Sequence, residues 1–240
     1  MQNTYIRSKL NIYRRKIVFL GCLFLFTSLT SQINHRYNLP EYDKQKIHFG
    51  YHLGLNYSTF KLVQSDNFVQ KDTVKNLYAV GKTGFQVGFI FNLRLSEYLD
   101  FRALPMVSFY EREIKFVFKS PAKPISVDFQ ASVIELPLLI KYKSHRRLNS
   151  RLYMIGGLKP SFEVGAKKRQ NRSNQLGTSV VNLALDYGIG FDSYQGLFKF
   201  APELRFSLGL TDMLKRQDNL LTESLKTVKP FNVSFSILFE

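Results

Sequence analysis

From residue 47 onward, apolar and polar side chains alternate with a period of two. Ile47, Phe49, Tyr51, Leu53, Leu55 and Tyr57 share one face of an extended segment; His48, Gly50, His52, Gly54, Asn56 and Ser58 share the other. The pattern sets Phe85, Val87, Phe89 and Phe91 against Gln86, Gly88 and Asn92, and Leu99, Phe101, Val107 and Phe109 against Asp100, Arg102 and Ser108. It returns in Leu152–Val164 and in Val181–Phe191, and again in Phe198–Leu210 and Phe231–Phe239. Successive side chains of a strand point to opposite faces, so each segment predicts a strand with one apolar and one polar side. The abundance of Phe (22) and Tyr (13) suits such half-buried pleated surfaces.

The fourth segment changes phase. Ile125, Val127, Phe129, Ala131 and Val133 are in step, and then Ile134, Leu136, Leu138, Ile140 and Tyr142 take over. One extra residue does this, so a β-bulge is expected near Val133–Ile134. With it the segments number eight.

The segments run to about ten residues or more, which is the length a tilted strand needs to cross a bilayer; soluble strands average about five or six. Their connections alternate in length. Short links fall near Ser96-Glu97, at 144–150 and at 193–196; long ones fall at 63–82, 111–124, 165–179 and 211–229. Short turns on one side and long loops on the other are the pattern of outer-membrane barrels. The reading is an all-β, eight-stranded antiparallel up-and-down transmembrane β-barrel over residues 47–240. Both mature ends are expected on the periplasmic side. The apolar face meets lipid. The polar face carries Arg94, Asp100, Arg102, Asp128, Lys159, Glu163, Asp186, Asp192, Lys199, Glu203 and Arg205. A barrel of this size is just wide enough for side chains to fill, so these charges are expected to pair into a plug.

Residues 1–31 read as a cleaved signal peptide. Arg14-Arg15-Lys16 precedes ten residues, Ile17 to Phe26, that are mostly apolar, and a short stretch of small polar residues follows. Ten residues span about 15 Å as a helix, too short for a bilayer core of about 30 Å. Residues 32–46 then form a periplasmic linker. The one cysteine, Cys22, lies in the signal, so the mature chain has no thiol for a disulfide or a metal. Five of the formal +16 charges also precede the apolar run, which leaves +11. That balance suits contact with anionic outer-membrane lipids. Nucleic acid would need a recognisable binding fold or interleaved aromatics, and none is seen.

Sites for chemistry are scarce. His48 and His52 share a face, but four strand residues separate them by about 13 Å, too far for one metal ion. Phosphate-loop, zinc-protease and nucleophile-elbow motifs are absent from the sequence. No catalytic residue, metal or cofactor is expected, and the chain is not read as an enzyme. Lys167, Lys168, Arg169 and Arg172 make a basic cluster in the third long loop, a candidate contact for lipopolysaccharide phosphates or an acidic partner.

The stretch Asn38-Leu-Pro-Glu-Tyr-Asp-Lys-Gln-Lys-Ile-His-Phe-Gly-Tyr-His-Leu-Gly-Leu-Asn56 resembles the start of PorT-family proteins, known as SprT in gliding Bacteroidetes. Gly84-Phe-Gln-Val-Gly-Phe-Ile-Phe-Asn-Leu-Arg-Leu95 and Tyr98-Leu-Asp-Phe-Arg102 extend the likeness. The resemblance implies an accessory outer-membrane component of the type IX secretion system. It would be needed for export of proteins with C-terminal sorting domains, with other secretion-system components as partners, and in some species for gliding. A general barrel for envelope stability or ligand binding, or a lipid-modifying rim enzyme, are the alternatives.

Overall fold

The computed structural model describes residues 37–64, 74–118, 125–164, 177–178, 180–215 and 225–240. The compact unit runs from Asn38 to Glu240. Its strands are β1 (Ile47–Gln64), β2 (Val74–Arg94), β3 (Leu99–Ala103), β4 (Met106–Phe118), β5 (Ile125–Glu135) and β6 (Leu138–Lys143). They continue with β7 (Ser150–Val164), β8 (Gly177–Thr178), β9 (Val181–Tyr194), β10 (Lys199–Gly209), β11 (Leu214–Lys215) and β12 (Leu225–Phe239). Ten of these form one antiparallel sheet; β8 and β11 pair separately. Among the described residues no helix is long and apolar enough to cross a membrane.

The sheet closes on itself. β1 pairs with β2 on one side and with β12 on the other, and β12 leads back through β10, β9 and β7. β3 and β4 are two pieces of one wall strand, and so are β5 and β6, which makes eight strands around the wall. Prolines cause both breaks. Pro105 and Pro137 accept bonds from the Phe89 and Leu104 amides at 3.0 Å. They have no N–H to return, so ladder pairing lapses while the chain runs straight on. Closure removes free edges inside lipid, where an unpaired backbone group would be costly. The start of β1 and Glu240 lie at the same end, with Lys199 and Glu240 exchanging backbone bonds of 2.7 and 3.0 Å. This end is the terminal rim, and the other is the loop rim.

The expected faces hold over most of the wall. Phe49, Phe89, Leu152, Ile189 and Phe235 are exposed on the outside, while His52, Arg102, Asp186, Glu203 and Ser236 are buried inside. The expectation fails towards the loop rim. Val127 and Phe129 point inward, and Asp128 points out, its side chain 57% exposed. There is also no bulge at Val133–Ile134, because β4 and β5 keep one register from Met106↔Glu135 to Phe116↔Ile125. One-residue shifts lie on β2 instead, between Val74 and Asn76 and between Gly81 and Phe85, and the second lets Leu77 and Gln86 both face inward.

Parts of the expected loops 63–82 and 111–124 are strand, since β2 begins at Val74 and β4 continues to Phe118. β1 has 18 residues and β2 has 21, well beyond the roughly 9–11 that cross a bilayer. The surplus stands outside the membrane, where water replaces lipid, and the wall's polarity inverts. Lys82 pairs outside with Glu111 at 2.8 Å and Asp128 at 3.0 Å. Phe60, Leu77, Ile114, Phe116, Val127 and Phe129 pack inside as an apolar core.

Candidate functional site

The distinctive chemistry is in the lumen. Nearest the terminal rim, Asp192 holds Lys141 at 2.7 Å and Arg151 at 3.2 Å, and Glu240 holds Lys199 at 2.8 Å and Arg102 at 3.0 Å. Arg102 also reaches Glu203 at 3.0 Å. Glu203 takes Arg205 as a second partner and accepts the Tyr153 hydroxyl at 2.9 Å. The Tyr153 ring passes over Gly190, where a Cβ would sit 2.2 Å from Cζ, so any larger residue there would have to displace the ring. Lys143 pairs with Asp100 at 2.5 Å.

Higher in the lumen, Glu135 joins Lys159 at 3.2 Å, Ser108 at 2.7 Å and Tyr110 at 3.0 Å. Above it the Arg112 guanidinium bonds to Ser58 and Asn232 and lies 4.9 Å over the Phe60 ring, where the apolar core begins. The segment after β10 covers that core. Met213 is buried, with its amide 2.9 Å from the Val228 carbonyl, and Asp212 accepts the Val228 amide at 2.9 Å. Charges held this way resist movement, because removing one partner strands the other in a medium of low dielectric.

The terminal rim has a cover of its own. Residues 38–46, part of the expected linker 32–46, fold back over the lumen. The 3-10 turn Tyr42–Lys44 stacks Tyr42 on His48 with centroids 3.9 Å apart and gives its hydroxyl to Glu240 at 2.8 Å. Asp43 bridges Arg146 at 3.0 Å and Arg151 at 3.1 Å. Asn38 donates its backbone amide to Asn149 at 2.8 Å and its side chain to the Tyr194 carbonyl at 3.0 Å. Glu41, Lys44, Gln45 and Lys46 remain exposed on the outer side of this cover.

Burial alone would raise the Asp43 pKa, but the charges of Arg151 and Arg146 outweigh it and hold the carboxyl below its usual 3.8. With the folded-state pKa lowered, this contribution is complete above the ordinary carboxylate range and is lost as pH falls through the lowered value. Hydrogen exchange at the amides of Tyr42, Lys44 and Gln45, which bond to Leu39, Glu41 and Tyr42 carbonyls, reads this directly. Protection is expected to hold at pH 6, to fall selectively below about pH 4, and to be weak at both in Asp43→Asn. Unchanged protection in that variant would refute the role of Asp43.

Of the polar-face charges expected from the sequence, Asp100, Arg102, Lys159, Glu163, Asp186, Asp192, Lys199, Glu203 and Arg205 are buried in the lumen. Asp128 is not, as described above. Arg94 lies at the terminal rim and donates to the Asp43 carbonyl. Arg112, Glu135, Lys141, Lys143 and Arg151 join the lumen unanticipated, although the last four lie on the polar phase of their strands and that phase could have found them. His48 and His52 are both lumen residues, one under Tyr42 and the other beside Gln86. His145 sits in the turn after β6, 2.7 Å from the Tyr98 hydroxyl and 3.9 Å from Glu97. Partial desolvation and the Glu97 charge raise the Tyr98 phenol, the opposite of what a nucleophile needs. Lys167, Lys168, Arg169 and Arg172, and the expected signal at residues 1–31, lie outside the described residues.

A closed antiparallel wall, apolar outside and ion-paired within, defines an integral membrane β-barrel. The sequence matches the outer membrane protein beta-barrel domain over residues 30–215, and the chain belongs to that family. It is an integral outer-membrane protein. Among curated proteins, none matches the sequence. Among solved structures it is similar to the outer membrane protein OprG of Pseudomonas aeruginosa, at 12% identity and a TM-score of 0.39, over 82% of this chain and 95% of that one. It is similar to the N-terminal β-barrel domain of OprF from the same organism, at 12% identity and 0.35, over 77% and 96%. It is also similar to Ail, the attachment invasion locus protein of Yersinia pestis, at 12% identity and 0.36, over 81% and 98%.

Proposed function

We propose that this barrel is an accessory outer-membrane component of the type IX secretion system, acting through its rims and outer wall and not as a conduit. The observation that carries the second half of this reading is the filled lumen. Arg102, Glu203, Lys141, Asp192 and Arg205 are fully buried within it, with a folded segment at each mouth. A passage would require dismantling several buried ion pairs at once. The first half rests on the resemblance of residues 38–56, 84–95 and 98–102 to the PorT family. In this reading the terminal rim faces the periplasm. The exposed side of the cover, Glu41 and Lys44–Lys46, offers a surface to periplasmic components, and Lys167, Lys168, Arg169 and Arg172 meet lipopolysaccharide phosphates or an acidic partner outside.

Deletion of the gene is expected to block export of proteins carrying the C-terminal sorting domain, and plasmid-borne wild type should restore it. Swapping the partners of one lumen pair, Asp100→Lys with Lys143→Asp, should spare export if the barrel still assembles, whereas charge reversal at Lys44 and Lys46 should impair it. Normal export in the deletion strain, with no related barrel present, would leave a general outer-membrane barrel as the reading.

A further inference from the structure

The outer wall is not smooth. Near the terminal rim a groove of about 500 Å³ crosses β7, β9, β10 and β12. One bank is a row of residues paired strand to strand: Tyr142 with Met154, Met154 with Ile189, Ile189 with Leu204, and Leu204 with Phe235. Pro202 and Phe191 are among the groove's lining residues, and Pro202 pairs with Ile237 of β12. There the β9–β10 ladder lapses between Phe200↔Ser193 and Glu203↔Gly190, because proline has no amide hydrogen to give. Its short ring leaves a depression among longer neighbours. The groove also reaches Ser144, the first residue of the turn between β6 and β7.

We propose that this groove and the turn beside it form a site for one anionic phospholipid, with an acyl chain along the groove and the phosphate at the turn. The inference rests on the outer-membrane reading and goes beyond it by naming the lipid class and the site. The groove interrupts a face that already meets hydrocarbon, so a chain in it continues the same contact and fills space that would otherwise lack packing partners. The polar end has a sign. Residues 144–149 contain His145, Arg146 and Arg147 and no acid. Arg146 is taken up by Asp43, and His145 faces Tyr98 and Glu97. Arg147 is exposed, and among the described residues it bonds through its backbone, with Ser150. An exposed guanidinium at the edge of the membrane suits a lipid phosphate.

Native mass spectrometry of the full-length mature barrel, titrated in detergent with phosphatidylglycerol or phosphatidylethanolamine, tests this. One phosphatidylglycerol is expected per barrel, held about tenfold more tightly than phosphatidylethanolamine. Ile189→Trp, or Met154→Trp if the first does not assemble, should fill the groove and abolish retention of either lipid. Arg147→Glu should remove the preference for phosphatidylglycerol while leaving weak binding of both. Equal retention of the two lipids by wild type, or wild-type retention by an assembled groove-filling variant, would overturn the site. Insertion of the wild-type barrel into vesicles is scored separately: failure there counts against the membrane reading, whereas insertion without selective lipid retention counts against this site alone.

Discussion

Phe129→Ala is expected to destabilise the barrel by about 3–5 kcal/mol, the usual loss for a large aromatic removed from a packed core. Phe129 is 3% exposed and meets Phe60 edge-on at 5.4 Å inside the extension beyond the membrane. Phe89 is the contrast. It is 62% exposed on the lipid side, so hydrocarbon can occupy the volume that Phe89→Ala vacates, and that variant should lose far less. Phe89→Arg, however, should lose about 2–4 kcal/mol, and only in a bilayer. Unfolding in denaturant, with the barrel in vesicles, measures all three. Comparable losses for the two alanine variants would mean that Phe129 faces outward and that the inversion of polarity is wrong.

Glu203→Gln is expected to lose about 3–5 kcal/mol, because it leaves buried cations short of a counter-charge. Glu203 serves Arg102 and Arg205 and accepts the Tyr153 hydroxyl, all in the interior. Arg102 keeps Glu240 at 3.0 Å, so the larger share of the loss falls on Arg205. Replacing Glu203 and Arg205 together by Leu should recover much of the stability, since an apolar pair of similar volume carries no stranded charge. The same unfolding experiment decides it. A double variant less stable than Glu203→Gln would show that the charges bind more strongly than their desolvation costs.

These two positions differ in how far the sequence could foresee them. Glu203 and Arg205 alternate with Pro202, Leu204 and Phe206 in an unbroken pattern, and a lipid-facing apolar side leaves only the lumen for the charges. For Phe129 the same pattern misleads. Val127 and Phe129 look like a lipid face, yet they line the interior core, while Asp128 between them points out to pair with Lys82 as a wall in water would. The expected bulge at Val133–Ile134 followed from assuming that apolar always means outward. The shifts on β2 escaped because residues 74–84, with Lys75, Asn76, Lys82 and Thr83, carry little contrast.

Local polarity, then, was enough to determine that the chain makes strands, which residues share a face, and that the pattern suits a membrane-crossing wall. Period two arises from the pleat of a single strand and needs no neighbour. Which face points inward at a given height was a tertiary matter. It depends on whether the outer surface meets lipid or water, and on how far the strands overshoot the bilayer. The cover at residues 38–46 was tertiary as well. Tyr42 and Asp43 are fixed by Glu240, Arg146 and Arg151, partners more than a hundred residues away that only barrel closure brings to the same rim.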